Sequence, residues 1–270
     1  MSDPSWAPAS VPLDRPSVAR MYDYFLGGYH NFAIDRAVAE QVVATYPDFP
    51  LIMRANRAFL RRAVVYLAAQ GIDQFLDLGS GIPTVGNVHE VAQAVNPDAR
   101  VVYVDIDPVA VAHSRAILAG NANATVIQAD ARRPEQIFGD PEVRRLLDLD
   151  RPVAVLVLAF LHFLQDDAEA AGLMRGLRDA LAPGSYLVVS HASYDDIPAD
   201  VRERLEGLYT RTPTPVRSRT REQIAGFFAG FEWVEPGLVQ VPAWRPEGPN
   251  DLWYDEPGRA HGYGGVGRKP

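Results

Sequence analysis

The stretch QFLDLGSGIPT, residues 74–84, decides the fold of this chain. A short apolar run carries Asp77 near its end and is followed at once by Gly79 and Gly81. Glycines let a backbone turn tightly and approach a ligand without interference from a Cβ atom. Taken alone, a G-x-G pattern is also typical of an ordinary turn between a strand and a helix. The stretch therefore predicts a strand, a tight turn and a helix, and the rest of the chain decides whether the turn binds a ligand.

The alternation of strand and helix patterns continues beyond this turn. Short apolar runs occur at residues 74–78, 100–104, 124–128, 153–159 and 185–190, and helical patterns separate them at 84–95, 108–119, 134–147 and 167–181. Strands that alternate with helices, and that are continuous apolar runs, predict an α/β fold with a parallel sheet and helices on both faces. Ligands of such sheets bind at the carboxyl ends of the strands.

Composition excludes several classes of function. The 270 residues carry a formal charge of -8 and no basic run, which disfavours nucleic acid as a partner. Zero cysteines exclude disulfides, zinc fingers and thiol catalysis. The first ten residues do not resemble a signal peptide, and the longest apolar run, 153–161, is too short to cross a bilayer. We expect a soluble, cytoplasmic protein without a membrane partner.

Acidic residues stand at the ends of three successive predicted strands. Asp77 precedes the glycine turn, Asp105 closes the second strand and Asp130 closes the third. At these positions Asp105 is expected to accept hydrogen bonds from both ribose hydroxyls of a nucleoside, and Asp130 from an adenine amino group. Asp107 stands directly before Pro108 and is better explained as the N-cap of the following helix.

The residues around the turn distinguish between nucleoside cofactors. A dinucleotide site normally has a third glycine where this chain has Thr84, and Asp77 would face a pyrophosphate of like charge. S-adenosylmethionine (SAM) carries an ammonium and a sulfonium, so Asp77 suits it better. A nucleotide-dependent oxidoreductase remains the less favoured alternative.

Several motifs resemble those of a known family. DLGSG, VVYVDIDP, QADAR, VLAFLHFL and LAPGSYLVVS are similar to the successive motifs of class I, Rossmann-like SAM-dependent methyltransferases. More specifically, ARMYDYFLGGYHNFAIDR, NRAFLRRAV, GIPTVGNVHEVAQ and FFAGFEWVEPGLV resemble the actinobacterial "S-adenosyl methyltransferase" family, formerly catalogued as a domain of unknown function. The resemblance implies a seven-stranded, mostly parallel sheet whose last strand is antiparallel, with residues 231–241 and 263–267 as the last pair. Pro83 replaces the third glycine of the common pattern, which leaves open how the methionine carboxylate is held.

The resemblance also divides the chain. Residues 1–13 are expected to form a flexible tail, residues 14–70 an N-terminal helical lid, and residues 71–270 the SAM-binding core. The alternative for the segment around Gly27 and Gly28 is a packed helical hairpin with the glycine pair as its turn. Asp35 is predicted to cap a helix over 36–45.

Together, the strand ends and the resemblance predict a set of cofactor-binding residues. They are Tyr22, Gly28, Asn31, Arg57, Asp77, Gly79, Ser80, Gly81, Asp105, Ile106, Asp130, Ala131, Ala159 and Phe160. Arg57 would pair with the cofactor carboxylate, although a solvated helix face explains it equally well.

His162 and His191 are the candidate general bases, because they follow the fourth and fifth strands. A structural role is the alternative for each. No cluster of histidines and acids has the spacing of metal ligands, which disfavours a metal-dependent mechanism. The predicted function is methyl transfer from SAM, with S-adenosylhomocysteine (SAH) as product, to a small apolar or aromatic acceptor. A non-catalytic SAM- or SAH-binding regulator is the alternative. Residues 194–218 and the lid are expected to select the acceptor, and the oligomeric state stays open.

Overall fold

The central element is one sheet whose strands follow the predicted alternation. The computed structural model describes residues 15–83, 86–194, 197–209 and 215–270, so the predicted tail and Thr84 lie outside the described residues. The strands are β1 (Gln74–Leu78), β2 (Arg100–Asp105), β3 (Ala124–Gln128), β4 (Ala154–Leu158), β5 (Tyr186–Ala192), β6 (Glu232–Trp233), β7 (Val239–Gln240) and β8 (Gly262–Arg268). Their order is β3-β2-β1-β4-β5-β8-β6, with β7 also paired to β8.

The strand count corrects the predicted seven to eight. Strands β1 to β5 are parallel, and β8 pairs antiparallel with β5, as expected. The segment 231–241 does pair with β8, but it does so as two short strands, β6 and β7, with a turn at Gly237 between them. Pro236 lies in this turn and has no amide hydrogen, so it cannot donate to the strand ladder.

Ten α-helices are described around this sheet, besides short 3₁₀ turns at Leu161–Phe163, Val241–Ala243 and Pro257–Ala260. They are α1 (Val18–Phe25), α2 (Ala33–Thr45), α3 (Phe49–Ala69), α4 (Val88–Val95), α5 (Pro108–Ile117), α6 (Pro134–Gly139), α7 (Pro141–Leu146), α8 (Asp167–Ala180), α9 (Ala199–Tyr209) and α10 (Arg221–Gly226). The helix predicted over 134–147 is split, because Asp140 caps α7 by accepting from the Glu142 amide and Pro141 takes the first helical position.

Two predicted caps have different outcomes. Asp107 caps α5 by accepting the Val109 amide at 2.8 Å, as predicted. Asp35 does not start α2, which begins two residues earlier at Ala33. Its carboxylate instead accepts the Phe32 amide at 2.8 Å, so it satisfies the helix start from inside the first turn.

Successive residues of β1 pack against opposite layers. Phe75 belongs to a core that includes Phe59 and Leu67 of α3, whereas Leu76 belongs to a second core with Leu173 of α8 and Ile224 of α10. All six side chains are fully or almost fully buried. Helices therefore cover both faces, as predicted, and the carboxyl ends of the strands are left for chemistry.

The N-terminal hairpin, α1 with α2, packs at this end of the sheet. Phe32 contacts a cluster with Ile82 of the glycine turn and Val109 of α5. Ser17 donates a hydrogen bond of 2.6 Å from its hydroxyl to Asp107. The hairpin therefore lies beside the glycine turn. None of the helices in the described ranges has the length and apolar character needed to traverse a lipid bilayer.

Candidate active site

The glycine turn folds back over the end of β2. Gly79 has a φ of 69°, and a Cβ atom there would lie 2.6 Å from the Phe160 ring, so only glycine fits. The Gly79 and Ser80 amides donate to the Val104 carbonyl at 2.8 and 3.1 Å. The Gly81 amide donates to Asp105 at 2.7 Å. The turn and the acid at the end of β2 therefore form one unit.

A cavity of about 210 Å³ opens beside this unit. Its lining includes Arg57, Asp77, Ser80 and Gly81, four of the predicted cofactor-binding residues. The Ser80 hydroxyl is buried and has no hydrogen-bond partner among the described residues. Burial raises the pKa of Asp77 to about 7; Arg57 lowers that pKa and Asp105 raises it. A buried carboxyl group and an unpaired hydroxyl fit a ligand that is polar and positively charged.

Asp105 has the surroundings expected of a ribose-binding acid. Its two oxygens accept the amides of Gly81 and Asp107 at 2.7 and 2.8 Å, and the Ile106 amide also bonds to this carboxylate. A carboxylate has about four lone-pair sites, so Asp105 can still accept from a ligand. Burial raises the pKa of Asp105 to about 6, although these amide hydrogen bonds lower it. Ile106, the residue after Asp105, is 61% exposed and offers an apolar surface for a flat ring.

At the end of β3, the acid predicted to contact adenine already has a hydrogen-bond partner within the chain. Ala131 is buried, but the Asp130 carboxylate is held by the Arg132 guanidinium at 2.6–3.0 Å. That hydrogen bonding lowers the pKa of Asp130. A contact between Asp130 and the adenine amino group stays a prediction, and it requires a lone pair that Arg132 does not use.

The end of β4 is strained. Ala159 has a φ of 50°, in the left-handed region that side chains rarely adopt. Its amide donates to the Ser190 hydroxyl at 3.0 Å, and the following residue, Phe160, packs over Gly79. Such a residue costs about 1–3 kcal/mol, and strain of this kind concentrates at functional sites.

Tyr22 of α1 is linked by hydrogen bonds through α3 to the end of β5. Its hydroxyl accepts from the Asn56 amide group at 3.0 Å, and the Asn56 carbonyl oxygen accepts from the Ser190 hydroxyl at 2.6 Å. Burial raises the pKa of Tyr22, with opposing effects from Arg57 and Asp77. Tyr22 therefore lies close to the charges of the cofactor cavity.

Gly28 and Asn31, in contrast, are explained by the turn of the hairpin. A Cβ atom on Gly28 would lie 2.0 Å from an Asp23 carboxylate oxygen. The Asn31 side chain donates to Asp23 at 2.8 Å and to the Gly28 carbonyl at 3.0 Å. The positive φ of this turn belongs to Gly27, at 81°. Neither Gly28 nor Asn31 lines the cofactor cavity, and a cofactor contact for them stays a prediction.

A second cavity of about 350 Å³ lies at the ends of β4 and β5. Ile52, Met53 and Val241 give it apolar walls, and Ala159 lies at its strand edge. Three histidines also line it: His162, His191 and His261. The structure therefore brings together both histidines predicted from the sequence, and adds a third.

His162 and His191 are buried, neutral imidazoles. Burial lowers the pKa of His162 to about 3, and Arg219 lowers it further. Burial also lowers the pKa of His191 well below its usual value, with a further contribution from His162. The Nε2 atom of His191 accepts from Arg219 at 3.0 Å. These contacts disfavour the general-base role predicted for both residues.

Sequence reasoning missed His261, Tyr46 and Arg219. His261 is hydrogen bonded through Nε2 to the Tyr46 hydroxyl at 2.7 Å. One signal was available for His261: it directly precedes β8, whose antiparallel direction places its start beside the carboxyl end of β5. Part of the segment predicted to select the acceptor does reach this region, since the Arg217 amide donates to the His162 carbonyl at 2.7 Å. Residues 195, 196 and 210–214 of that segment lie outside the described residues.

Comparison with known proteins decides the family. The sequence matches the profile described as S-adenosyl methyltransferase over residues 4–270. The chain belongs to this family. It is a SAM-dependent methyltransferase, with an acceptor that the comparisons do not identify. No curated protein matches the sequence.

Solved structures agree with membership of the S-adenosyl methyltransferase family. A protein from Thermobifida fusca assigned as a methyltransferase is 44% identical, with a TM-score of 0.91 over 98% of this chain and 99% of that one. A DUF574 family protein from Streptomyces avermitilis is 40% identical, with a TM-score of 0.88 over 95% and 98%. The N-methyltransferase NodS from Bradyrhizobium japonicum, solved with SAH, is 14% identical, with a TM-score of 0.51 over 87% and 97%. This last likeness concerns the fold alone.

Proposed function

We propose that this methyltransferase binds SAM along the ends of β1 and β2 and methylates a small apolar or aromatic acceptor in the second cavity. The observation that supports this arrangement is the position of two consecutive residues of α3. Arg57 lines the cofactor cavity and Asn56 lines the second one. Consecutive residues of a helix project about 100° apart, so the two cavities are neighbours along α3. A direct transfer between two ligands requires such adjacent sites.

The residues of the first cavity fit the cofactor. SAM supplies an electrophilic methyl group on a sulfonium. In the proposed arrangement Asp77 pairs with the ammonium group, Ser80 donates its unpartnered hydroxyl, and Asp105 accepts the ribose hydroxyls. Arg57 is the candidate partner for the carboxylate, and Ile106 with Ala131 would contact the adenine ring. Gly79 and Phe160 shape the turn, and the strained Ala159 borders the acceptor.

Positioning is the main contribution that the chain would make. Correctly oriented reactants gain up to about 7–11 kcal/mol relative to free ones. The buried chain of hydrogen bonds from Tyr22 through Asn56 to Ser190 fixes α1, α3 and β5 relative to one another. The hairpin would also exclude water, which is the lid role predicted for residues 14–70. Its packing on the glycine turn supports that role.

Two measurements test this proposal. Thermal denaturation with SAM, SAH, NAD and NADP should give a rise in melting temperature with the first two only, because a ligand at 100 times its Kd stabilises by about 2.7 kcal/mol. Incubation of methyl-labelled SAM with fractionated metabolite pools should then label an apolar product. Stabilisation by NAD alone would contradict the cofactor assignment. SAH binding without any labelled product would support the regulatory alternative.

A further inference from the structure

The backbone of one residue, Ala192, contacts the Nδ1 atoms of two histidines in the second cavity. The Ala192 amide donates to Nδ1 of His162 at 3.5 Å, and the Ala192 carbonyl lies 2.7 Å from Nδ1 of His191. An amide nitrogen only donates and a carbonyl only accepts. His162 therefore carries its ring hydrogen on Nε2, whereas His191 carries one on Nδ1.

His191 has no lone pair left for a ligand. Its Nε2 atom faces an Arg219 nitrogen at 3.0 Å, and a guanidinium only donates. Arg219 is 2% exposed and is held in place by the Leu161 and Leu164 carbonyls, each at 2.8 Å. Because the arginine cannot easily move away, His191 is a fixed, neutral part of the cavity wall.

His162 differs in one respect. Its Nε2 atom makes no hydrogen bond to any described residue. The atom is not among the fully buried polar atoms of the structure, so it is accessible. Since His162 lines the second cavity, this N–H reaches the cavity space. Nε2 of His162 is therefore a hydrogen-bond donor that is available to a ligand in the cavity.

Several other polar side chains of this cavity bond to each other or to a neighbour. Asn56 and Ser190 bond to each other, and His261 bonds to Tyr46. Among the described residues, no aspartate, glutamate, lysine or arginine side chain lines the cavity. A charged ligand would be buried there without a counter-charge, which is costly. A flat, neutral molecule would meet mainly apolar walls and the N–H of His162.

We propose that His162 recognises the methyl acceptor by donating its Nε2 hydrogen to a lone pair of an uncharged, largely apolar molecule, such as a ring nitrogen or a carbonyl oxygen. Neither His162 nor His191 takes up a proton in this role. The identity of the ligand as methyl acceptor rests on the proposed function, whereas the donor role of His162 rests on the cavity itself.

Two-ring probes of one shape test the recognition. With SAH present, the affinities of naphthalene, quinoline, N-methylquinolinium and 2-naphthoate are measured by calorimetry or competition. Quinoline adds one lone pair to naphthalene, and a hydrogen bond to it is worth roughly 2- to 10-fold in affinity. In His162→Phe the quinoline-to-naphthalene affinity ratio should therefore fall by that factor. His113→Phe, which alters a histidine outside the cavity, should leave the ratio unchanged, and both charged probes should bind more weakly than naphthalene.

Nitrogen-15 NMR of histidine-labelled protein gives a second measurement that needs no variant to fold. The His162 ring should be protonated at Nε2 only and should not titrate between pH 5.5 and 8.5. Titration in that range, protonation at Nδ1, an unchanged affinity ratio in His162→Phe, or no binding of either neutral probe would overturn the proposal. Failure of SAH to bind would instead contradict the proposed function, since the tautomer of His162 is measured without it.

Discussion

The ends of β1 and β2 and the ends of β4 and β5 lie on one edge of the same sheet, but they differ in chemistry. The first pair carries Asp77 and Asp105, two buried carboxyl groups whose pKa values burial raises. The second pair carries His162 and His191, two buried imidazoles whose pKa values burial lowers. Burial therefore pushes all four groups toward neutrality, but only the carboxyl groups are brought close to physiological pH.

This difference in charge behaviour suits the two ends of the sheet edge to different ligands. A carboxyl group with a pKa near 7 becomes charged when a cation approaches, so the β1 and β2 end is suited to a positively charged cofactor. Imidazoles with strongly lowered pKa values stay neutral when a ligand binds and provide no counter-charge. The β4 and β5 end is therefore suited to a neutral ligand. Asn56 and Arg57 of α3 mark the boundary between the two ends.

The largest expected effect is at Asp105. Asp105→Ala should weaken SAM binding by at least about 100-fold, because two hydrogen bonds to a charged group contribute roughly 1.5–3 kcal/mol each. Asp107→Ala is the matched control: it removes the cap of α5, costs about 1 kcal/mol of stability and keeps SAM binding. Calorimetric titration and thermal denaturation measure the two quantities. If Asp107→Ala lost binding and Asp105→Ala kept it, the assignment of ribose acid and cap would be reversed.

The next effect is on the pH dependence of binding. The pKa of Asp77 is raised to about 7, so most of this carboxyl group is neutral below that pH and cannot pair with an ammonium. SAM affinity should rise by up to about tenfold per pH unit between pH 5.5 and 7. In Asp77→Asn the affinity should be lower and the slope shallower. Neutral probes in the second cavity should bind equally at both pH values; a pH-independent SAM affinity would contradict the role of Asp77.

A smaller effect concerns the stability of the free protein. The pKa of Asp77 is about 7 when folded, against about 3.9 for an unfolded aspartate. The unfolded chain therefore loses its proton first, and the stability due to the neutral carboxyl, full below pH 4, is lost as the pH rises to 7. Asp77→Asn keeps a neutral group, so it should melt at a higher temperature than the parent at pH 8. The difference should shrink at pH 5, and a lower melting temperature at pH 8 would show that the carboxylate is stabilised instead.

The smallest effect tests the strain at the end of β4. Ala159→Gly removes the Cβ atom that makes a φ of 50° unfavourable, so it should stabilise the protein by about 1 kcal/mol. Ala112→Gly, inside α5, should destabilise it by a similar amount, because glycine weakens helices by about 1 kcal/mol. Denaturant titrations of both variants measure the pair. Destabilisation by Ala159→Gly as well would remove the argument for strain at this strand end.

The two ends also differ in how far the sequence predicts them. The β1 and β2 end depends on local patterns, a strand followed within a few residues by glycines and an acid, so Asp77, Gly79 and Asp105 were placed correctly at the strand ends. The second cavity is built from segments near residues 52, 160, 191 and 261. Only tertiary packing brings these together, and the signal for His261 is its place directly before the antiparallel strand β8.

Polar turns set a second limit on what the sequence predicts. The Gly28 and Asn31 pattern suits a turn that contacts a ligand, but it equally suits a turn built around the carboxylate of Asp23, which the structure has. Both arrangements need a residue without a Cβ atom and a side-chain amide. The sequence cannot distinguish a partner that is a ligand from one that is eight residues away in the same chain.

A structure of the SAH complex tests the central claim most directly. The account predicts the amino group of SAH beside Asp77, its ribose hydroxyls on Asp105 and its sulfur directed past Ala159 toward the cavity that His162 lines. An SAH molecule whose sulfur points away from that cavity, or whose adenosyl group occupies it, would contradict the division of the sheet edge into a cofactor end and an acceptor end.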